Sequence, residues 1–203
     1  KRHAALPDSK YFLGYCFFYN FGFYLANPLK IFAVWEGGMS FHGGLIGLVL
    51  AGWLYSRLKQ KRFIMLADLG AIAATPGLLF GRIGNFINAE LYGRVTDMPW
   101  GMVFPGAGLM PRHPSQIYEA FCEGVVLFCI LYFISIKTRT QGILIATFLL
   151  CYGVMRFFLE FFRQPDSQLG FVLGGLTMGQ ILCVIMAIAG IALLVCRLKS
   201  SKP

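Results

Sequence analysis

Charge is what this sequence has least of. Only 13% of its 203 residues are Asp, Glu, Lys or Arg, roughly half the ~25% of a soluble domain. Acidic residues are the scarcer sign, nine against 18 basic ones. The six cysteines (Cys16, Cys122, Cys129, Cys151, Cys183 and Cys196) form no C-x-x-C. No histidine stands at ligand spacing, so neither a metal site nor a disulfide framework is expected. No cofactor is expected either, and the cysteines read as small apolar packing residues. No secretory signal peptide, internal repeat or low-complexity tract is apparent. The chain opens on Lys1 rather than methionine, and is expected to begin part-way into a longer protein.

What the sequence has instead is apolar length. Hydrophobic residues make up 57% of the chain and the mean hydropathy is +0.66. Six runs near the length of a bilayer crossing are predicted at about 11–28, 41–57, 63–81, 117–136, 142–162 and 176–196. Backbone groups in lipid must bond internally, so these runs are helices. A barrel strand would alternate polar and apolar residues, and these do not. The expected architecture is an all-α polytopic membrane protein, one integral-membrane domain over 1–203.

Basic residues alternate between the loops, with 12 on one side and 6 on the other. The positive-inside rule puts both termini in the cytoplasm. The net charge of +9 is therefore a topology signal, and no nucleic-acid partner is implied. Of the nine acidic residues, only Asp8 falls clearly on the cytoplasmic side. Glu36, Glu90, Asp97, Glu160 and Asp166 lie on or near the outer side, as do His42 and His113. The longest connection, 82–116, carries Trp100, Met102, Val103 and Phe104, which argue against disorder. It is expected to be a small extracytoplasmic head with short strands around 100–104.

Three stretches concentrate the chemistry. "VWEGGMSFHGGLIG" sets His42 in the first turn of a predicted helix, among Gly37, Gly38, Gly43 and Gly44. Glycines there permit close approach by a helix or a ligand, and an imidazole there suits proton transfer. "GRIGNFINAELYGR" crowds Arg82, Asn85, Glu90 and Arg94 against the end of an apolar run. "YGVMRFFLEFFRQPD" puts Arg156 and Glu160 at i, i+4 on one helix face. A charge near the bilayer centre costs about 2.5–3.5 kcal/mol on insertion scales. Glu160 offsets Arg156 but cannot neutralise Arg82 and Arg94 as well, which points to a bound anion. Arginine is a preferred planar donor to phosphate, and a lipid headgroup supplies one there. Glu119 and Glu123 share a face of the fourth run and are expected to partner Arg94 or Arg112. Asp68 reads equally as a helix-start or packing residue and as a functional one.

Taken in order and spacing, "WEGGMSFHGGLIG", "GRIGNFINAELYGR", "RHPSQIYE" and "RFFLEFFRQPD" resemble the bacterial phosphatidylglycerol–prolipoprotein diacylglyceryl transferases, from about Gly14 to Gln180. The resemblance implies a multi-pass enzyme of the bacterial inner membrane, with its active site facing the outer leaflet. The implied reaction moves the diacylglyceryl group of phosphatidylglycerol to the lipobox cysteine of a prolipoprotein and releases glycerol phosphate. It further implies that Arg82 binds phosphatidylglycerol and that Arg156 is its partner in activity. Asn85, Glu90, Gly93, Glu160 and Tyr152 match other functionally important positions, and His42 the histidine considered for catalysis. Arg94, Gly43 and Gly44 join Arg82, Asn85 and Gly93 as candidate substrate contacts. The family's further N-terminal helix, with its tyrosine, has no counterpart before Lys1, and the usual lead into Gly14 is replaced by "SKYFLGY".

The chemistry asks for a thiolate to displace a phosphate ester at a glycerol carbon. A free thiol needs a base or a positive field, for which His42 is the first candidate, with Glu90 or Glu160 as alternates. Arginines would stabilise the leaving phosphate, with Asn85 adding amide hydrogen bonds. The D-G-x-x-A-R pattern of metal-dependent alcohol phosphatidyltransferases is absent. The other readings are a non-catalytic phospholipid-binding protein, which needs no histidine, and a transporter, which would spread polar groups through the membrane depth.

Overall fold

The computed structural model describes residues 41–164, 171–173 and 175–200. The chain divides into two compact units, Lys1–Phe63 and Ile64–Pro203. In the first, helix α1 covers Phe41–Leu58 and carries in its last turn Arg57, whose guanidinium lies over the Trp53 ring at 5.5 Å. Its sequence is apolar on all sides, and Leu45, Leu48, Leu50 and Leu54 are all exposed. The run predicted at 11–28 lies outside the described residues.

Helix α2 (Phe63–Ile87) leads into the second unit. Pro76 lies inside it and cannot donate to the Ile72 carbonyl. The fully buried Thr75 answers this, its hydroxyl donating to that carbonyl at 2.8 Å. The helix runs six residues past the predicted end at 81, so Arg82 and Asn85 are helical. Hydropathy falls there, but backbone pairing continues. The helix closes with the Glu90 amide donating to the Asn85 carbonyl at 2.8 Å and the Ala89 amide to Phe86 at 3.0 Å. That pair of bonds is a Schellman closure, which demands a left-handed residue at the position Ala89 occupies with φ 54°. Leu91 follows at φ 55°.

Helix α3 (Ser115–Lys137) is α-helical over Ser115–Glu119, π-helical over Ala120–Val126 and α-helical again over Leu127–Lys137. Gly124 sits where an added Cβ would meet Leu79 Cβ at 2.7 Å, so α2 and α3 touch nearly backbone to backbone. Helix α4 (Ile143–Leu159) starts after Gly142 at φ 93° and is capped from α2 rather than from its own turn. The Asp68 carboxylate accepts from the Gly142 amide at 2.5 Å and the Ile145 amide at 2.9 Å. Asp68 is thus a tertiary cap, which decides for the structural reading.

A two-stranded antiparallel hairpin, β1 (Phe171–Leu173) and β2 (Leu176–Thr177), then leads into α5 (Met178–Ser200). Apolar continuity across these residues hid the hairpin from hydropathy. Thr177 and Gln180 cap α5 reciprocally: the Gln180 amide donates to the Thr177 hydroxyl at 3.2 Å, the Thr177 amide to the Gln180 side-chain oxygen at 3.0 Å. Gly153 of α4 and Gly190 of α5 face the partner backbone, with added Cβ atoms 2.8 Å from the Cys183 carbonyl oxygen and 2.6 Å from the Leu150 nitrogen. Small residues at such contacts let apolar helices gain dispersion contacts where lipid offers no hydrophobic drive. The core centres on Ala71, Leu127 and Leu131, with Phe148 and Tyr152 packed around it.

The protein is mostly helical. Three described helices, α2, α3 and α5, are long and apolar enough to cross a membrane, while α1 and α4 are shorter apolar helices. The 88–114 connection contains no continuous strand among the described residues. The strands expected near 100–104 reduce to an isolated antiparallel bridge, Met102 to Arg112, flanked by bridges Val95 to Arg112 and Gly93 to Arg163. Its proline and glycine spacing stops any ladder from extending.

Candidate functional site

The second unit draws three helices together around a cluster of charges. Arg82 comes from the last turns of α2, Glu119 and Glu123 from the first turns of α3, and Arg156 and Glu160 from the end of α4. Arg82 Nε lies 2.7 Å from Glu119 Oε2 and 3.8 Å from Glu123 Oε2. Arg156 Nη1 lies 2.9 Å from the same Glu119 Oε2 and 3.4 Å from Glu123 Oε1. Its Nη2 reaches Glu160 Oε2 at 3.2 Å, as the i, i+4 spacing requires. Arg163 Nη1 approaches Glu119 Oε1 at 3.9 Å.

These carboxylates are deep. Glu119 is 1% exposed and Glu123 0%. A buried carboxylate without a counter-ion is prohibitive, and so is a buried guanidinium, so the cluster persists because each member offsets another. Three arginines face three glutamates. The expectation that Glu160 alone faces the arginines, so that an anion must balance them, is therefore corrected. So is the expected pairing of Glu119 and Glu123 with Arg94 or Arg112; both turn to Arg82 and Arg156 instead. Nothing in residue spacing reveals which helix faces which.

Arg156 donates hydrogen bonds to Glu123 Oε1 at 3.4 Å and Glu160 Oε2 at 3.2 Å, but at Arg82 the balance is one of charge alone. Arg82 donates no hydrogen bond to any described residue, and its closest approach to each glutamate is through Nε. Oε2 of Glu119 and Oε2 of Glu123 are buried without a directed hydrogen bond among the described residues. Beside Arg82, a Cβ added at Gly81 or Gly84 meets no described residue within 4 Å. Asn85 lies one turn beyond Arg82 on the same side of α2.

Glu160 is held from two sides. The Thr177 hydroxyl donates to its Oε1 at 3.2 Å while Arg156 takes Oε2. A carboxylate committed to a cation and a donor is poorly placed as a free base, which weakens Glu160 in that role. Tyr152, one turn before Arg156, stacks on Phe148 with ring centroids 5.5 Å apart and planes 8° apart.

The turn after α2 is fixed by the start of α3. Ser115 and Gln116 are both 1% exposed. The Ser115 hydroxyl donates to the Leu91 carbonyl at 3.2 Å, and the Gln116 side-chain amide to the Glu90 carbonyl at 2.6 Å. That is what the serine and glutamine of "RHPSQIYE" do. Gly93 is clamped between two backbones: a Cβ there would lie 2.6 Å from both the His113 and the Phe162 carbonyl oxygens. Its amide donates to His113 at 2.9 Å and the Arg94 amide to Phe162 at 2.9 Å.

Arg94 and Arg112 stitch rather than join the charge cluster. Arg94 Nε donates to the Arg163 carbonyl at 2.9 Å. Arg112 donates to the Gly93 and Ala107 carbonyls and to Gln164, with its guanidinium 5.0 Å from the Tyr92 ring centroid. The described contacts of Arg94 and Gly93 are thus with the fold itself. Around them His113, Tyr118 and Phe162 make an aromatic knot, with the Trp100 indole donating to the Tyr118 hydroxyl at 2.7 Å.

Gly44 belongs to α1 in the first unit, where an added Cβ meets nothing within 4 Å. His42 and Gly43 lie in the first turn of α1, and the His42 side chain and the surroundings of Gly43 lie outside what is described. Glu119, Glu123, Arg163 and Thr177 were not among the sequence-based site residues. The signal for the first two was present, since two carboxylates in an apolar run must find cations somewhere.

Comparison with known proteins agrees with the quoted motifs. Residues 12–196 match the family described as prolipoprotein diacylglyceryl transferase. A phosphatidylglycerol–prolipoprotein diacylglyceryl transferase of Geobacter sulfurreducens is 57% identical over 189 residues, covering 92% of this chain and 73% of the relative. One from Oleidesulfovibrio alaskensis is 53% identical over 191 residues, covering 94% and 72%. One from Pseudomonas aeruginosa is 55% identical over 184 residues, covering 90% and 69%.

Proposed function

The chain belongs to the prolipoprotein diacylglyceryl transferase family, and from that premise we propose how its charge cluster serves the reaction. The protein is a transferase that moves the diacylglyceryl group from phosphatidylglycerol to a prolipoprotein. The acceptor is the lipobox cysteine thiol. A carbon–sulfur bond forms at the glycerol carbon as its carbon–oxygen bond to phosphate breaks. The electron pair leaves with glycerol phosphate and the thiol proton goes to a base.

The observation that carries this reading is Arg82: a guanidinium at the end of an apolar helix, ion-paired through Nε yet donating no hydrogen bond to any described residue. A planar fork in that state suits a phosphate, whose charge grows as the ester breaks. Arg156, surrounded by Glu119, Glu123 and Glu160, contributes a fixed positive field beside it. Asn85, Gly81 and Gly84, the last two with no described residue within 4 Å of an added Cβ, would line the space for the headgroup. His42 is the candidate base, with Glu90 as an alternate, while Glu160 is committed to Arg156 and Thr177. Tyr152, one turn before Arg156, is held by its stacking on Phe148 and its packing against the core.

In the same reading the enzyme lies in the bacterial inner membrane as a multi-pass, single integral-membrane domain. The 88–114 connection, the part of the expected 82–116 head that lies between α2 and α3, forms its extracytoplasmic head, and the site opens to phosphatidylglycerol of the outer leaflet.

The test is transfer from labelled phosphatidylglycerol to a lipobox peptide by the full-length protein. Arg82→Ala and Arg156→Lys should each lower kcat/KM by about 100-fold or more, the scale of losing an oriented charge at a developing anion. His42→Gln should do the same if it is the base, and stay near wild type if Glu90 serves. Wild-type rates in Arg82→Ala would sink the phosphate assignment, and absence of transfer by the full-length protein would sink the enzyme reading.

A further inference from the structure

Two arginines from different helices meet on a single oxygen. Arg82 Nε and Arg156 Nη1 lie 2.7 and 2.9 Å from Oε2 of Glu119, so these two nitrogens are no more than about 5.6 Å apart. Like charges at that separation repel strongly in a protein interior. Something must hold them together, and Glu119 is the group between them. Glu123 approaches both arginines as well, but only at 3.4 and 3.8 Å, and Glu160 reaches Arg156 alone.

Glu119 is fixed in turn. It lies one turn after Ser115 and Gln116, whose side chains are bonded to the Leu91 and Glu90 carbonyls. The start of α3 is therefore tied to the turn that follows α2, and the carboxylate is 1% exposed. Its Oε2 nonetheless has no directed hydrogen bond among the described residues. A buried acceptor left in that state calls for a reason beyond packing. An electrostatic one is at hand: the oxygen serves two cations and is aligned to neither.

We infer that Glu119 is a positioning residue for the transfer reaction, the shared counter-ion that sets the spacing of Arg82 and Arg156 and holds Arg82 by its Nε edge. The Nη edge of Arg82 is then the fork presented to the phosphate. This deepens the reading that Arg82 meets the phosphate of phosphatidylglycerol, and rests on it. Glu119 itself touches no reacting atom. Its loss acts through the geometry of the arginine pair.

The test is steady-state transfer by the full-length enzyme in phosphatidylglycerol vesicles, with KM for the lipid and kcat separated. Glu119→Gln keeps the shape and removes the charge. It should raise KM for phosphatidylglycerol by about tenfold or more, the scale of a misaligned charge-assisted bond. Glu119→Asp, which restores the charge, should recover part of that loss. A merely structural role would instead lower the yield of folded protein without moving KM, and that result overturns the inference. A KM that falls overturns it too, because Glu119 would then be competing with the phosphate. If Glu119→Gln does not fold, Glu119→Asp decides alone, through a raised or an unchanged KM. Arg82→Lys is measured alongside. An unchanged KM there refutes the phosphate assignment itself, whereas a raised KM with a silent Glu119→Gln refutes only the positioning role.

Discussion

The hydroxyl of Thr177 donates to Oε1 of Glu160 at 3.2 Å, joining the first turn of α5 to the charge cluster at the end of α4. The same hydroxyl accepts the Gln180 amide, so one oxygen caps a helix and orients a buried carboxylate. Removing it should have two consequences. Thr177→Ala is expected to cost about 1–2 kcal/mol of stability from the lost cap. It should also lower transfer activity, because Glu160 loses a donor and is freer to shift around Arg156. Thr177→Ser should restore both. Denaturant unfolding of the purified enzyme beside its transfer rate checks this, and stability loss with wild-type kinetics would confine Thr177 to capping.

Asp68 makes the opposite separation. Its carboxylate caps α4 from α2 through the Gly142 and Ile145 amides, at the other end of α4 from Arg156. Asp68→Ala leaves those buried donors unpaired, at about 1–3 kcal/mol each. The expected result is a clear loss of stability with KM for phosphatidylglycerol unchanged in the folded fraction. A raised KM at full stability would count against a purely structural Asp68.

Gly93 has no room for a side chain. A Cβ there lands 2.6 Å from two carbonyl oxygens on separate backbone segments, and neither can yield alone. Gly93→Ala should pry the 93–95 segment from His113 and Phe162, at about 1–3 kcal/mol or more. Limited proteolysis should then cut within 88–114 at protease levels the wild type resists. An uncut Gly93→Ala variant with normal transfer would contradict the clamp.

Ala89 offers a prediction of the opposite sign. It occupies the left-handed position of a Schellman closure at φ 54°, where an L-residue with a Cβ pays about 1–2 kcal/mol. Ala89→Gly should therefore stabilise the protein, less the entropy that glycine loses on folding, leaving a gain of up to about 1 kcal/mol. A drop in unfolding midpoint would show that the methyl group makes a compensating contact.

Much of this was legible along the chain because the membrane makes polar residues conspicuous. Arg82 and Arg156 stand out in apolar runs, and the boundaries of the helices at 41–58, 115–137 and 178–200 follow hydropathy to within a few residues. What hydropathy misses is backbone continuity, so α2 was expected to end before Arg82 although its pairing carries on to Ile87. Partner choice was not legible either. Glu119 and Glu123 were visible as carboxylates needing cations, but which arginines they meet depends on how α2, α3 and α4 pack. Thr177 gave no signal at all, since a threonine among apolar residues looks the same whether it caps, packs or orients a neighbour.

Pro76 gives α2 a mechanical character. The Thr75 hydroxyl covers the carbonyl that the proline leaves open, but a side-chain bond does not transmit bending stiffness as a backbone rung does. Six residues separate Pro76 from Arg82, a lever of about 9 Å at the α-helical rise. A change of 10° in the bend at that point carries the guanidinium through roughly 1.5 Å, against a tolerance of about 0.5 Å for a productive site. The segment that bears Arg82 is thus the tip of a short arm with a soft root. Glu119 and Glu123, reaching it from α3, act as the stops that define where the arm comes to rest.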